Sequence, residues 1–383
     1  MSSLATALAG SIPLAAARAG SDVLKLGVLA PLTGPGAPWG LAIDGAVRIA
    51  AKEVNDQGGL EIGGRRYSVE VIAYDDQYKA ANAVTAVNRL IGPDDVHFIF
   101  GPVGSASLLA IKPLTEAKKT LLFTSSWSKD VLTNSNYIFR VGPTTEEFAP
   151  ATIAWVKKNR PDVRKVATIS ANDETGWNSQ RIQKQYYTEA GYEIVAAEHF
   201  ERQQNDFRAL ITKILASNPD SIELDTTPPP TAGLFVRQAR ELGFKGLFTK
   251  FGGFDVAEIV RNAGAENAEG IVGMLQGDPS SPEWEKFKAA YAEFHKNELN
   301  DFVFPYYDVA RLLFAALAKV GNTTDSDAIV TALESLAPFP GTRGDLTWGG
   351  EKAYGVNHQI YAPVFLVEIK DGKGLVIDKV DIA

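Results

Sequence analysis

One local pattern, met again and again along the chain, limits what it can fold into. It is a short apolar strand, then a loop of glycine, proline and hydroxyl residues, then an amphipathic helix. Leu24–Asp44 (LKLGVLAPLTGPGAPWGLAID) shows it first. Leu24, Leu26, Val28 and Leu29 form a run with little polar interruption, as in a strand covered on both faces. Pro31, Gly34, Pro35, Gly36 and Pro38 then interrupt regular structure before a helix over Leu41–Asn55, which stops at Gln57-Gly58-Gly59. A loop after the first strand of an α/β sheet lies at the carboxyl edge of the strands, where such sheets bind ligands. Trp39 is therefore a candidate ligand contact, whereas Thr33 reads as a turn residue.

The pattern continues with strands Tyr67–Tyr74, Val96–Phe100 and Leu121–Thr124, a helix over Ala80–Ile91 and another running from a glycine loop to Lys118. It begins again after Gly142-Pro143. Helices are predicted over Glu147–Asn159, Ser179–Ala190, Phe207–Ser217 and Leu234–Leu242, and strands over Lys165–Ser170, Tyr192–His199, Ser221–Leu224 and Leu247–Lys250. Alternation of this kind predicts βαβ units and a mainly parallel sheet. Two successive halves of similar length predict an α/β chain of two Rossmann-like lobes, and 383 residues are enough for two cores. Long helices over Ser281–Asn297 and Tyr306–Lys319 follow, then a strand Gln359–Ile369. The turn Asp371-Gly372-Lys373-Gly374 and a closing strand complete a hairpin.

Composition removes whole classes of function. A net charge of −8 without any dense Lys/Arg run argues against a nucleic-acid surface. The absence of cysteine excludes disulfides and thiolate nucleophiles, and the four histidines (His97, His199, His295, His358) lack metal-ligand spacing. Gly34-x-Gly36 continues as G-x-G-x-x-x-G with prolines where a pyrophosphate would need close backbone, so a dinucleotide is not expected. Ser105 has no G-x-S-x-G elbow around it. No cofactor and no catalytic residue is expected. Residues 1–19 are small and apolar and end in Ala17-Arg18-Ala19, which predicts an export signal peptide cleaved near Ala19.

What remains points to binding. Ser105 follows Gly104 at the start of a helix, and Ser125, Ser126 and Ser128 follow the fourth strand. Such serines either cap helices or, with backbone amides, form an anion cradle suited to a carboxylate. Trp39, Trp127, Trp177, Phe251 and Phe254 all fall in loops after predicted strands. Each either caps a lobe's core or forms a flat pocket wall, and their recurrence at one sheet edge favours a pocket.

The ordered series GVLAPLTGPGAPWG, NDQGG, EVIAYDD, FGPVGSAS, TSSWS and FVRQARELGF resembles the leucine/isoleucine/valine-binding protein family, the type I periplasmic solute-binding proteins of ATP-driven (ABC) importers. The resemblance implies two lobes joined by three crossovers, with 22–143 plus 276–347 as the first lobe and 144–275 plus 348–383 as the second. It implies a monomer in the periplasm that hands a small-molecule solute to permease subunits in the inner membrane, with no nucleic-acid partner. The family's carboxylate site falls on Ser105 and on Ser126 to Ser128. Thr175, Asp225, Thr226, Lys250, Phe251 and Gly252 become the second lobe's candidate contacts, and Lys250 and Arg140 could add positive charge. This chain departs from the family in that Thr175 stands where a tyrosine is common and Gly252 where a carboxylate receives the ligand's ammonium. A buried ammonium without that partner would cost about 3–5 kcal/mol. The expected solute is accordingly a carboxylate without an α-amine, an aromatic acid of the benzoate or phenylpropenoate type. The alternatives are a branched-chain amino acid or amide held by Asp225, or a sensory ligand-binding domain. Trp39→Ala is expected to weaken binding and leave folding largely intact.

Overall fold

The computed structural model describes residues 22–382; the predicted signal peptide and its cleavage site lie outside them. Strand β1 (Asp22–Ala30) is buried from Leu24 onward apart from its lysine, as its apolar run requires. It pairs in parallel with β3 (Arg65–Asp75) on one side and β4 (Phe98–Phe100) on the other. β2 (Leu60–Ile62) forms a hairpin with β3 through Gly63-Gly64, both at positive φ, which a two-residue turn of this hand needs. β5 (Leu121–Thr124) and β6 (Ile138–Arg140) extend the sheet in parallel. The second sheet is built on β7 (Lys165–Ala171), β8 (Glu193–Phe200), β9 (Ser221–Glu223), β10 (Leu247–Lys250) and β11 (Val272–Leu275), all parallel. The chain then adds β12 (Phe339–Gly341), β13 (Gly344–Gly349) and β14 (Gln359–Tyr361) to the first sheet, and β15 (Val364–Lys370) and β16 (Lys373–Val380) to the second. The orders are β12-β13-β14-β6-β5-β4-β1-β3-β2 and β16-β15-β11-β10-β9-β7-β8.

Helices α1 (Ala37–Asp56), α2 (Ala80–Ile91) and α3 (Ser105–Ala117) cover the first sheet, and α4 (Thr145–Asn159), α5 (Glu174–Glu189), α6 (Arg208–Leu215), α7 (Pro229–Glu241), α8 (Val256–Ala263) and α9 (Ala265–Ala268) cover the second. α10 (Pro282–Tyr291), α11 (Val303–Val320), α12 (Ser326–Ser335) and α13 (Glu351–Tyr354) return to the first sheet, where α11 packs its buried face beside α1 in the largest core. The chain passes between sheets after β6, after β11 and after β14. None of the helices among the described residues is long and apolar enough to cross a membrane.

Three sequence expectations are corrected here. The single strand expected over Gln359–Ile369 is two strands in different sheets, broken at Ala362-Pro363, because proline cannot donate to a ladder. Residues 348–361, expected in the second lobe, lie on the first sheet. Trp348 pairs with Ile360, packs 5.1 Å from Phe139 and donates its indole N–H to Leu333 O at 3.0 Å. Helix α1 also starts earlier than expected, at Ala37, with Pro38 in its first turn where a missing N–H costs nothing.

Candidate functional site

The carboxyl ends of both sheets face each other across a cleft. Trp39, Tyr78, Val103, Ser125, Trp127 and Phe302 line it from the first lobe, and Thr175, Thr226, Gly252 and Gly253 from the second. It is nearly closed in this structure, with room for little more than one water-sized group.

Trp39 sits in the first turn of α1, drawn down by Gly40. A Cβ at residue 40 would lie 2.1 Å from Pro31 O, so only glycine lets the helix approach the strand end this closely. The Trp39 indole stacks on Phe302 (centroids 6.2 Å apart, planes 17°) and tilts against Tyr78 at 6.3 Å. It is 4% exposed and belongs to the lobe's main core. Core cap and pocket wall are thus one residue. Trp127 is half-buried and meets Phe148 edge-on at 5.5 Å. Both indoles press on the glycine pair opposite. A Cβ on Gly252 would be 2.0 Å from Trp127 Cη2, and one on Gly253, at φ +60°, 2.8 Å from Trp39 Cζ2. Space that a side chain at 252 would occupy is filled by the Trp127 ring.

The serine loops are largely self-satisfied. Ser105 Oγ accepts N–H bonds from Trp127 (3.1 Å) and Ser128 (3.0 Å), while Ser105 N donates to Thr175 Oγ1 of the other lobe at 3.1 Å. Ser126 turns inward and donates to Pro102 O at 3.0 Å. Ser128 Oγ donates to Glu174 Oε1 at 3.3 Å, also across the cleft. The structure therefore uses Ser105, Ser126 and Ser128 to tie the loops and lobes together, and none of the three lines the cleft. Arg140 is fully buried and holds Ser128 O at 2.7 Å, so it positions this loop.

On the second lobe the charges lie under the floor. Lys250 Nζ donates to Gly252 O at 2.5 Å, and Asp225 Oδ2 accepts from Ser170 Oγ at 3.1 Å. Burial pushes the Glu223 carboxyl up to about 7, raises Asp225 and lowers Lys250, while Asp225 and Glu223 pull the lysine back toward its charged form. Phe251 is core, 1% exposed, and its N–H donates to Glu223 Oε1 at 3.2 Å. Phe254 is likewise core, and Trp177 is 52% exposed with its indole N–H on Asn172 Oδ1. Of the eleven candidate contacts, the cleft gathers Trp39, Trp127, Thr175, Thr226 and Gly252. It leaves Ser105, Ser126, Ser128, Asp225, Lys250 and Phe251 behind its surface.

Ser125, read from the sequence as part of an anion cradle, lines the cleft, whereas Tyr78, Val103, Gly253 and Phe302 were not singled out. Tyr78 lies in a loop after a strand, the same signal that picks out Trp39. Gln77 and Tyr78 both adopt positive φ, held by Asp75 Oδ1 on Gln77 N and Asp76 Oδ1 on Tyr78 N. The Arg202 guanidinium lies 3.9 Å from the Tyr78 ring centroid, reaching across from the other lobe, and is itself clamped by Asp173. Phe302 enters ahead of α11, far from any strand-end loop, and nothing local marks it.

Two α/β lobes with crossing segments between them and a cleft at their strand ends define a type I periplasmic solute-binding protein. The chain belongs to the leucine/isoleucine/valine-binding protein family: the family profile described as periplasmic binding protein matches residues 23–373. It is 25% identical over 328 residues to the Leu/Ile/Val-binding protein BraC3 of Rhizobium johnstonii, covering 85% of this chain and 87% of that one. Among solved structures, the branched-chain amino acid binding protein LivJ of Streptococcus pneumoniae in complex with isoleucine superposes with a TM-score of 0.80 at 23% identity, covering 94% of this chain and 100% of that one. A Rhodopseudomonas palustris solute-binding protein in complex with 3,4-dihydroxybenzoic acid gives 0.80 at 24% identity, covering 95% and 98%. These likenesses show the fold. As a family member the protein is a non-enzymatic solute-binding component of an ABC importer.

Proposed function

We propose that the cleft captures an aromatic carboxylate. The carrying observation is the pairing of Trp127 with Gly252: an indole face occupies the place where an acidic side chain would reach an α-ammonium, and no carboxylate lines the cleft. Asp225 is tied to Ser170 and lies beneath the floor, which weighs against an amino acid held there. A flat solute would enter between ring faces on one side and backbone on the other as the two lobes part. Its carboxylate would lie toward the Thr175, Thr226 and Tyr78 hydroxyls, with the Arg202 charge behind Tyr78. The relatives that carry isoleucine and dihydroxybenzoate show that this fold serves both kinds of solute. Lobe closure would sequester the solute and present the closed form to a permease. Thermal-shift and calorimetric titrations with benzoate, cinnamate, leucine and isoleucine test the reading. Stabilisation by the aromatic acids is expected, and stabilisation by leucine or isoleucine alone overturns it.

A further inference from the structure

Behind the cleft lies a second, more enclosed cavity with room for about one water-sized group. It shares the walls Ser125, Trp127, Gly252, Gly253 and Phe302 with the cleft, so the two adjoin, and it ends on Gln276 and Asp301. Asp301 is 2% exposed. Its Oδ2 accepts the Gln276 backbone N–H at 2.6 Å, but its Oδ1 is buried with no partner at all. A buried carboxyl oxygen left unpaired costs free energy comparable to a lost hydrogen bond, and each such group in a native structure asks for a reason.

We propose that Asp301 Oδ1 receives a donor group, a phenolic hydroxyl or an aromatic amine, carried on the ring position remote from the solute's carboxylate. The inference rests on the aromatic-acid reading and adds to it the part of the ligand that distinguishes one ring from another. Tyr78, Thr175 and Thr226 line the cleft but not the rear cavity, Asp301 lines the rear cavity but not the cleft, and the two share Ser125, Trp127, Gly252, Gly253 and Phe302. Burial pushes the Asp301 carboxyl up to about 7, with Asp255 raising it further and Arg343 opposing, and Lys250 is the remaining charge that feels it. A carboxyl poised there accepts a hydrogen bond from a donor when ionised, and can both donate and accept one when neutral.

The test is a calorimetric series at pH 8 with benzoate and its 4-hydroxy, 4-amino and 4-fluoro derivatives. Wild type is expected to bind the hydroxy and amino acids at least tenfold more tightly than the fluoro acid. In Asp301→Asn the amide oxygen must still face Gln276 N–H, which turns the NH2 toward the cavity. The donor preference, read as the ratio of hydroxy to fluoro affinity within each protein, is then expected to fall to within about threefold, a change that mere loosening of the fold does not produce. Equal binding of the hydroxy and fluoro acids by wild type overturns the inference without recourse to a variant, and so does a preference that survives Asp301→Asn. If benzoate binds and the donor preference is absent, only this inference falls; if none of the four acids binds, the aromatic-acid reading falls with it.

Discussion

The two walls of the cleft are built on different principles. The first lobe contributes side chains: Trp39, Tyr78, Trp127 and Phe302 present ring faces, three of them packed on one another. The second contributes mostly backbone, Gly252 and Gly253 with the short hydroxyls of Thr175 and Thr226, above a buried cluster of Glu223, Asp225 and Lys250. The residues with the most chemistry are withheld from the solute. Lys250 spends its ammonium on Gly252 O, so its charge shapes the floor instead of touching what lies on it. Shape discrimination therefore belongs to one wall and electrostatic support to the other. Each wall can be broken separately.

The largest effect is expected from Lys250→Met. It leaves Glu223 and Asp225 buried without their cation and frees the Gly252 loop, at a cost of about 3–5 kcal/mol. Denaturant unfolding followed by circular dichroism reads this directly, and an unchanged midpoint would show that the floor does not depend on the charge. Trp39→Ala comes next, at about 3 kcal/mol of stability together with weakened solute binding. The sequence alone had suggested a residue that could be removed without harm to the fold. Its position in the lobe's main core, stacked on Phe302, makes the wall and the core inseparable.

Gly252→Ala attacks the contact between the walls. The new methyl has no clash within its own lobe, but it meets the Trp127 ring at 2.0 Å, so closure suffers while each lobe keeps its core. Affinity for benzoate should fall about tenfold or more with the melting temperature nearly unmoved. Small-angle scattering should show a more open molecule. Adding Trp127→Ala should restore much of the loss, a non-additivity expected of groups in direct contact. Additive losses would mean that the two positions act independently.

The order of strands and helices was readable because each element carries its own signal, an apolar run or a 3.6-residue stripe closed by glycine or proline. The rule that strand-end loops face the ligand picked out Trp39, Trp127, Thr175, Thr226 and Gly252, which line the cleft. It also picked out Ser105, Ser126, Ser128, Asp225, Lys250 and Phe251, which do not, because position along a strand fixes the edge but not the direction of the side chain or the partner that claims it. Ser126 is claimed by Pro102 O, and Phe251 by its lobe's core. Phe302 and Asp301 come from a segment that re-enters the first lobe after β11, before β15 and β16 finish the second. No local pattern announces which returning loop will reach the cleft. The last crossing was misjudged for a similar reason: a strand-like run over Gln359–Ile369 hides the switch between sheets at Pro363.

The smallest effect expected is a pH dependence on the second wall. Burial raises the Glu223 carboxyl from its usual 4.5 to about 7, so the folded protein holds this proton more tightly than the unfolded chain does. The associated stability is fully present below about 4.5 and is lost as pH rises through 7, because the folded state must then carry a buried charge that the unfolded state hydrates freely. Asp255 and Asp301, raised by burial to about 6 and about 7, push in the same direction. Melting temperature should accordingly be higher at pH 5 than at pH 8. Glu223→Gln keeps an oxygen for the Phe251 N–H at 3.2 Å and removes the ionisation. It should leave stability nearly unchanged at pH 5 and raise it by about 1 kcal/mol or more at pH 8. Replacement of Trp127 by leucine should leave the effect of Glu223→Gln on the pH slope untouched, because that carboxyl lies under the second wall. A slope that follows the ring variant instead of Glu223 would break the division of labour between the two walls.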